Sequence, residues 1–412
     1  MRDVRMRGFR ARTSVADAVA LLERRVAALG AERVPIREAA GRVAAEDVVA
    51  RVSVPHFARA AMDGYAVVGE STFGATSYAP ILLTLAGDAR PGRLHPGSLK
   101  AGEAIAITTG APIPDGADAV IMAEHTEEIL GPGGRQVRIS EPVAPGKHVG
   151  HIGEDVTEGT IVVARGRLLR PQDVGVAASV GVAELDVVRR PTVAILVTGD
   201  ELLPPGSVPE GARIVDANSV VLAALVERDG GRHGGATPRY VADQREAVEQ
   251  ALLGATEDVI LVSGGSSVGP EDHAPGVLAE IGELAVHGVA MRPSSPAGFG
   301  FLGTRPVFLL PGNPVSCLCA YEFFAGPALR ALGGRARAWP HARRTCRVAS
   351  KIVSELGRVD YVRVKVDGDD VRPIMTSGAS ILSSTTRADG VVIVASEDEG
   401  YGEGEHVEVL LY

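Results

Sequence analysis

Apolar residues near the start of the chain repeat at the spacing of a helix. One apolar face is formed by Val15, Val19, Leu22, Val26 and Leu29. These positions lie three or four residues apart, as they do along one side of an α-helix. The segment predicts a helix of about four turns that starts at Ser14 and is stopped by Gly30.

Short β-prone runs separated by glycine and proline fill residues 55–141. The runs lie in "YAPILLTLAGDAR", "EAIAITTGAPIP", "ADAVIMAEHTEE" and "RQVRIS". Strand-length segments bounded by turn residues predict a small, mostly β domain. After Trp339 and Pro340 the pattern is again β, and it predicts a C-terminal β domain.

From Pro191 onward, apolar strands alternate with amphipathic helices. The strand segments are "TVAILVTG", "DVILVSGG" and "PVFLLPG", and the helical ones are "NSVVLAALVERDGG", "REAVEQALLGA", "HAPGVLAEIG" and "PVSCLCAYEFFAGPALRALGG". This alternation predicts a parallel, doubly wound sheet that is covered on both faces. Its ligand site is expected beyond the carboxyl ends of the strands.

The changes of pattern predict a multidomain protein of the α/β plus β class. The expected parts are a discontinuous N-terminal domain (1–54 and 142–188), a β-rich insert (55–141), an α/β domain (189–338) and a C-terminal β domain (339–412).

Composition narrows the class of protein. The formal charge of −9 argues against nucleic acid as a partner, because phosphate backbones select basic surfaces. No apolar stretch reaches the roughly 18 residues of a membrane span. The three cysteines form no disulfide framework or zinc motif, and we expect them to be buried in a reducing compartment. The chain is expected to be soluble and cytoplasmic.

The stretch "VSGGSSVGPEDH" (262–273) follows an apolar strand and ends in an acidic pair, Glu271 and Asp272. Glycine-rich turns let backbone N–H groups approach anions, and a following helix N-terminus adds a favourable dipole. The stretch fits neither the P-loop nor the dinucleotide-binding pattern. It therefore predicts another kind of phosphate or oxyanion site.

Other acids follow strands of the same domain: Asp200 and Glu201 in "LVTGDELL", and Asp243 in "YVADQRE". Because strand ends of a parallel sheet share one edge, these acids can converge with Asp272. Mg²⁺ typically takes one or two carboxylates together with water and substrate phosphate. The acids therefore predict a magnesium site.

Several polar residues after these strands also have a simpler interpretation. Asp243 with Glu246 forms a possible capping box. Asp216 and Asn218 are good N-caps for the next helix, and Asp200 could form an Asx-turn.

Three further stretches suggest a site. "AAMDGYAV" places Asp63 before a glycine, although a type I turn explains it equally well. "ITTGAPIPDGAD" offers Thr109 to an anion at a strand end. In "LLPGNPVS", Pro311 and Pro314 fix the backbone before a helix.

Taken in order, these motifs resemble the molybdopterin molybdenumtransferases, the MoeA and gephyrin E-domain family, from about residue 14 to the C-terminus. The motifs are "AMDGYAV", "TTGAPIPDGADAVI", "GEDV", "VTGDEL", "VSGGSSVGPEDH" and "LPGNPVS". The resemblance implies that the α/β domain binds molybdopterin and that the C-terminal domain is a β-barrel. It also implies an elongated homodimer in which the "AMDGYA" region of one subunit faces the α/β domain of the other.

The resemblance implies a transferase of molybdenum cofactor biosynthesis. The reaction would be Mg²⁺-dependent insertion of molybdate into adenylylated molybdopterin with release of AMP. Transient contacts with other molybdenum cofactor biosynthesis proteins are implied as well, with no nucleic acid or membrane partner.

The family's site residues carry over by motif. The catalytic set is Asp63, Glu201, Asp243 and Asp272, of which the last three would also hold the metal. The cofactor-binding set is Thr109, Asp155, Asp216, Asn218, Ser263, Gly264, Gly265, Ser267, Gly269, Arg292, Pro311, Pro314, Arg358 and Arg363. The two last arginines are taken from "GRVDYVRV", which is similar to the family's G-R-x-x-[FY]-x-R stretch.

The sequence departs from the family at two places. Where the family shows a Lys-Pro-Gly-Lys-Pro type of segment, this chain has "RPSSP" (292–296), so that Ser294 and Ser295 replace a glycine and a cation. Ala60 stands where a serine is common. The loss of a cation at an oxyanion site leaves a second hypothesis open, a non-catalytic molybdopterin-binding or scaffold homologue. A third is a molybdopterin adenylyltransferase, against which the additional domains argue.

Overall fold

The computed structural model describes residues 12–131, 133–234, 238–267, 269, 272–375 and 378–412. The described chain forms two compact units. The larger unit comprises the described residues up to Glu32, Gly41–Ala45 and Asp186–Tyr412, and the smaller unit comprises Arg33–Ala40 and Glu46–Leu185.

Helix α1 (Val15–Arg25) begins as predicted, because the Ser14 side chain accepts an N–H of the first turn at 3.0 Å. The predicted end at Gly30 is wrong. Beyond α1 the backbone is extended, and Leu29 donates its N–H to the carbonyl of Leu332 at 2.8 Å. The last apolar positions of the pattern therefore pack outside the helix rather than continuing it.

Short strands dominate the chain from residue 31 to 188. The elements are β1 (Ala31–Pro35), β2 (Val48–Val49), β3 (Arg59–Ala60), β4 (Gly64–Val67), β5 (Ile81–Ala89), β6 (Glu103–Ile107), β7 (Ala119–Met122), β8 (Thr126–Gly131), β9 (Gly134–Ile139), β10 (Val149–Gly150), β11 (Ile161–Val163), α2 (Pro171–Ser179) and β12 (Glu184–Val188). Single 3-10 turns lie at Ile36–Glu38, Gly69–Thr72 and Ala123–His125. Strands β7, β4, β6, β5, β9 and β8 form one sheet in that order, which confirms the predicted β-rich insert.

Strands and helices alternate in the next part of the chain. The elements are β13 (Thr192–Thr198), β14 (Leu202–Leu203), β15 (Ile214–Val215), α3 (Asn218–Arg228), β16 (Arg232–His233), β17 (Arg239–Val241), α4 (Arg245–Gly254), β18 (Val259–Ser263), α5 (Ala274–Ile281), β19 (Glu283–His287), β20 (Met291–Arg292), β21 (Gly298–Leu302), β22 (Arg305–Leu310), α6 (Pro314–Ala320) and α7 (Gly326–Leu332). A turn of π-helix at Tyr321–Ala325 joins α6 to α7.

The main sheet has the order β16-β13-β18-β22-β21-β19, and β17 also pairs with β13. Strands β13, β16, β17, β18 and β22 are parallel, as predicted. Strands β21 and β19 run antiparallel and make the sheet mixed, which corrects the prediction of a purely parallel sheet. The turn between β21 and β22 is too short for a parallel crossover and allows only a hairpin.

Alternate side chains of β13 face opposite layers of helices. Val193, Ile195 and Val197 belong to the core that contains residues of α3 and the π-turn. Ala194 and Leu196 belong to the core that contains residues of α4 and α5. Because successive side chains of a strand point to opposite faces, an all-apolar strand covered on both sides is the expected result.

The C-terminal part forms a closed barrel. Its elements are β23 (Ala342–Val348), β24 (Ile352–Val353), β25 (Val359–Asp367), β26 (Asp370–Met375), α8 (Ser383–Arg387), β27 (Gly390–Val394), β28 (Gly400–Tyr401) and β29 (His406–Leu411). The order β25-β26-β23-β29-β27 closes through pairing of β27 with β25, which confirms the β-barrel. Strand β20 pairs with β25 and so attaches the "RPSSP" segment to the barrel.

The three cysteines are free and buried, as predicted. Among the described residues, no helix is long and apolar enough to cross a membrane.

A buried ionic cluster holds α3 against the α6–α7 helix. The Asp229 carboxylate, 1% exposed, accepts hydrogen bonds from Arg330 at 2.8 Å, from Arg228 at 2.9 Å and from the Tyr321 hydroxyl at 3.0 Å. Arg330 is itself 3% exposed. Its charge is therefore compensated by a carboxylate that is equally inaccessible to water.

We expect Asp229→Asn to lower the free energy of unfolding by about 3 kcal/mol, because it leaves a buried guanidinium without its counter-ion. Urea denaturation followed by circular dichroism measures the loss. The matched control is Asp367→Asn, which removes a carboxylate whose side chain is 80% exposed and lies 3.6 Å from Arg372. Surface pairs of this kind contribute little, so equal losses in both variants would contradict the expectation.

Candidate functional site

The carboxyl ends of three central strands lie side by side. Val197 of β13 is in register with Ser263 of β18, and Ser263 is in register with Leu310 of β22. The segments after these strands therefore leave the sheet at one edge. This is the edge at which the sequence places a ligand.

The glycine turn after β18 passes very close to the end of β13. Gly264 and Gly265 have φ values of +94° and +55°, which side-chain-bearing residues rarely adopt. A Cβ at Gly264 would lie 2.4 Å from the carbonyl oxygen of Thr198, and one at Gly265 would lie 2.9 Å from the Thr198 hydroxyl. Two glycines are thus required here by both backbone conformation and space.

Asn218 ties the edge together. Its side-chain amide donates to the Ser263 hydroxyl at 2.9 Å and to the carbonyl of Gly312 at 2.8 Å. It therefore holds the ends of β18 and β22 at fixed positions relative to α3. The simpler interpretation of Asn218 as an N-cap is wrong, because α3 has no side-chain cap of its own at Ala217 and begins at Asn218.

Asp216 is a buried structural acceptor. It is 3% exposed and accepts the N–H of Ser219 at 3.1 Å and the hydroxyl of Tyr240 at 3.0 Å. The capping interpretation therefore describes its contacts well. Burial, followed by the bond to Asp216, raises the pKa of Tyr240 to about 12.

Asp200 and Asp243 lie side by side at the ends of β13 and β17. The Asp200 N–H donates to the Asp243 carboxylate at 3.0 Å, and the Asp243 N–H donates to the Asp200 carboxylate at 3.3 Å. The N-cap position of α4 is Gln244, so the capping box expected from Asp243 and Glu246 starts one residue before the observed cap position. Glu201 follows directly and is exposed.

Asp272 closes the glycine-rich segment before α5. It accepts the N–H of Gly269 at 2.5 Å. The carbonyl oxygen of Ser266 lies 3.0 Å from Nε2 of His287 on β19, which fixes the middle of the segment. Ser267 is half-buried beside it. The other acid of the predicted pair, Glu271, lies outside the described residues.

Among the residues described, no three or more His, Cys, Asp or Glu side chains form a ready metal-binding group. Glu201, Asp243 and Asp272 are hard oxygen donors of the type that Mg²⁺ prefers, and Mg²⁺ commonly completes its shell with water and substrate phosphate. The chemistry of each donor therefore suits Mg²⁺ bound together with a phosphate ligand, although the described residues do not bring the three acids into one ready group.

In the smaller unit, Asp63 and Thr109 meet. One Asp63 oxygen accepts the Thr109 N–H at 2.6 Å and the Thr109 hydroxyl at 2.9 Å. The backbone bond and then the hydroxyl bond lower the pKa of Asp63 below its ordinary value. Gly64 is required after Asp63, because a Cβ there would lie 1.9 Å from the carbonyl oxygen of Ile121. Asp155 is exposed in the same unit.

Two of the arginines expected to bind an anion are paired with a buried carboxylate. Arg292 and Arg358 both donate to Asp360, which is 0% exposed and also accepts the Ser354 hydroxyl at 3.0 Å. Arg363 is fully buried in the barrel, and burial lowers its pKa. These partners were not indicated by the sequence pattern.

The "RPSSP" segment keeps a glycine-like backbone without the glycine. Ser294 has a φ of +88°, a conformation costly for a residue with a side chain. Its hydroxyl donates to the carbonyl of Ser316 at 2.8 Å, two residues after Pro314 starts α6. Pro311 is buried at the preceding turn. The segment is therefore attached directly to the helix that follows β22.

The sequence analysis did not single out Thr198 or His287 of this edge, and it included Ser266 only as part of the stretch "VSGGSSVGPEDH". Thr198 precedes Gly199 and Ser266 follows Gly265, so both residues lie within glycine-containing motifs. The motif does not indicate that both residues are buried or that their side-chain hydroxyls have no hydrogen-bond partner within the described chain.

Three family profiles match consecutive parts of the chain. They are described as the MoeA N-terminal region (domains I and II) over residues 13–181, a probable molybdopterin binding domain over 194–331 and the MoeA C-terminal region (domain IV) over 345–412.

Individual relatives agree with the profiles. The chain is 36% identical over 391 residues to a protein of Methanocaldococcus jannaschii whose name assigns it to molybdopterin biosynthesis, with 92% of each chain covered. It is 38% identical over 346 residues to molybdopterin molybdenumtransferase 2 of Mycobacterium tuberculosis, covering 81% of this chain and 83% of that protein. Its fold matches the crystal structure of the MoeA molybdopterin biosynthesis protein of Pyrococcus horikoshii with a TM-score of 0.82 and 34% identity, covering 97% of this chain and 99% of that one.

The Asp63–Thr109 contact predicts a pKa change. In Thr109→Val the hydroxyl bond is lost and the backbone bond remains, so the pKa of Asp63 should rise part of the way toward the ordinary value of about 3.9. Carboxyl ¹³C shifts followed against pH measure it. Any stability that Asp63 contributes is present above its unfolded pKa and is lost as the pH falls through its lowered folded pKa.

Thr108→Val is the matched control, since no bond joins the Thr108 hydroxyl to Asp63 among the described residues. A titration of Asp63 that is the same in wild type, Thr109→Val and Thr108→Val would refute the assigned contact.

Proposed function

The chain belongs to the MoeA family, and we propose that it is the transferase that inserts molybdenum during molybdenum cofactor biosynthesis. In this proposal the substrates are molybdate and adenylylated molybdopterin, the reaction depends on Mg²⁺, and AMP is released. The observation that carries the proposal is the glycine turn Gly264–Gly265, held at the carboxyl edge of the sheet beside acidic residues.

Binding of the pterin nucleotide is assigned to the glycine-rich segment. Its backbone passes within contact distance of Thr198 without intervening side chains, so its amides can approach phosphate oxygens closely. Asn218, through the strand ends it bonds, and His287, through Ser266, hold this segment in place. A preformed cradle of this kind loses little entropy when the anion binds.

The acids at the strand ends are assigned to the metal. Glu201, Asp243 and Asp272 would hold Mg²⁺ jointly with the ligand's phosphates. When bound, the ion supplies charge neutralisation while the phosphoanhydride breaks. Because Asp243 also bonds Asp200, and Asp272 also bonds Gly269, both carboxylates are oriented before the ion arrives.

Asp63 is assigned the role of an essential acid near the oxyanion. Its two bonds from Thr109 favour the ionised form, so it stays a carboxylate at neutral pH. In that form it can accept a proton or a hydrogen bond, but it cannot donate one. Asp155 is proposed to support the same region.

We expect Asp63→Asn and Asp272→Asn each to reduce molybdate-dependent AMP release by at least about a hundred-fold, the scale of losing one electrostatic group from an active site. Asp272→Asn keeps an acceptor for the Gly269 N–H and removes only the charge. Release of AMP from adenylylated molybdopterin, followed by chromatography, measures the effect. Asp369→Asn is the control, because that side chain is 97% exposed.

The proposed homodimer can be tested with the same variants. If the Asp63 region of one copy serves the α/β domain of its partner, a mixed dimer of Asp63→Asn and Asp272→Asn contains one intact site. Unfolding and refolding the two inactive variants together should then restore about a quarter of wild-type activity, as random pairing of copies predicts. No recovery in a mixture that has formed dimers would reject sites shared between copies.

One observation favours a second candidate, a non-catalytic homologue that binds molybdopterin. Arg292, the cation that "RPSSP" retains, is engaged by the buried Asp360. Tight binding of molybdopterin without molybdate-dependent AMP release by the wild-type protein would favour this candidate over the transferase.

A further inference from the structure

Two hydroxyl groups at the edge of the sheet are buried and have no hydrogen-bond partner within the described chain. They are the hydroxyls of Thr198 and Ser266, residues that are 5% and 2% exposed. Most buried polar groups in proteins are hydrogen-bonded, and one that is not costs free energy. The chain keeps two such groups within one short region.

The Ser266 hydroxyl belongs to the glycine turn, and the Thr198 hydroxyl, at the end of β13, lies against it. The Thr198 hydroxyl lies 2.8 Å and 2.9 Å from the points where side chains at Gly264 and Gly265 would begin. Ser266 follows Gly265 directly, and its backbone is fixed by His287 through its carbonyl oxygen. Because Gly264 and Gly265 have no side chains, the space beside their Cα atoms is open, and the Thr198 hydroxyl lies next to it.

Neighbouring polar side chains are already engaged. Ser263 accepts from Asn218 at 2.9 Å, and Asp272 accepts from Gly269 at 2.5 Å. Ser263, expected from the sequence to bind the cofactor, already accepts a structural bond and keeps its own proton for a further partner. Packing alone gives no reason for the two remaining hydroxyls, since valine at 198 and alanine at 266 would occupy similar volumes without a polar atom.

We propose that the hydroxyls of Thr198 and Ser266 donate hydrogen bonds to phosphate oxygens of the ligand held by the Gly264–Ser267 turn. The identity of that ligand as a pterin nucleotide rests on the proposed function. A phosphate monoester or anhydride suits the site, because its oxygens are strong acceptors that can satisfy several donors at once. Because the two hydroxyls are uncharged, they would select the phosphate group through the positions of its oxygens and not through its charge.

The proposal predicts opposite effects on stability and on binding. Thr198→Val and Ser266→Ala remove an unsatisfied buried group, so the ligand-free variants should unfold at the same temperature as wild type or at a higher one. Each should bind the phosphate ligand about ten-fold or more weakly, because a hydrogen bond to a charged acceptor is lost. If Thr198 or Ser266 had a purely structural role, its substitution would lower the unfolding temperature of the ligand-free protein instead.

The experiment compares wild type, Thr198→Val, Ser266→Ala and two controls. Thr198→Ser keeps the hydroxyl and should retain affinity. Ser263→Ala leaves the Asn218 amide without one acceptor, so its ligand-free unfolding temperature should fall. The probes are inorganic pyrophosphate and adenylylated molybdopterin, with dissociation constants from titration calorimetry and unfolding temperatures from scanning calorimetry.

Weaker binding of both probes by Thr198→Val and Ser266→Ala, with undiminished ligand-free stability, would support the proposal. Unchanged affinity, or a fall in unfolding temperature like that of Ser263→Ala, would overturn it. Failure of the proposed function looks different: wild type would bind the probes with the expected dependence on the hydroxyls and yet release no AMP with molybdate. Normal AMP release with unchanged affinity in both variants would reject this inference alone.

Discussion

Parallel pairing of β13, β18 and β22 is the constraint on which the candidate site depends. The register Val197–Ser263–Leu310 brings three chain segments to one edge, and main-chain hydrogen bonds fix it more firmly than any side-chain contact at the surface could. The glycine turn follows from that register. Once β18 ends beside β13, the next residues must pass over Thr198 at a distance that admits no Cβ.

Uncharged hydrogen-bond donors and acidic groups occupy different parts of the candidate site. Donors near the glycine turn are amides and hydroxyls, whereas the charged groups at the strand ends are carboxylates. Arg292 and Arg358 are engaged by Asp360, which is fully buried. A polyanionic ligand beside carboxylates needs a cation to offset repulsion, and Mg²⁺ bound with the ligand would supply it. Under the proposed function, the absence of a second cation from "RPSSP" would make that ion more important in this chain.

The hydrophobic patterns of short segments predicted the strands and helices that such patterns determine directly. The all-apolar run at β13 and the amphipathic α3, α4 and α5 were readable, because sheet burial and helix periodicity leave direct signals. The end of α1 was not, since the bond from Leu29 to Leu332 joins distant parts of the chain. The antiparallel direction of β19 and β21 at the edge of the sheet was not predicted, because the composition of a short apolar segment does not indicate the direction in which the strand runs. The boundaries predicted between the four domains stay predictions.

The sequence predicted which residues form the candidate site better than it predicted the contacts between their side chains. Glycines beside acids after strands indicated an anion site, and the structure places Asn218, Ser263 and Gly264 together. The engagement of Ser263 by Asn218, of Arg292 by Asp360 and of Asp243 by Asp200 depends on side chains brought together by the fold. Sequence spacing carries no signal for such pairs. The same holds for the hydroxyls of Thr198 and Ser266, which have no partner among the residues that the structure describes.

The most direct test of the central claim is a crystal structure of the protein with adenylylated molybdopterin and Mn²⁺ in place of Mg²⁺. The account predicts phosphate oxygens within hydrogen-bonding distance of the Gly264–Ser267 turn. It also predicts an anomalous peak between those oxygens and at least one of Glu201, Asp243 and Asp272. A nucleotide bound away from the turn, or a manganese peak remote from these acids, would contradict it.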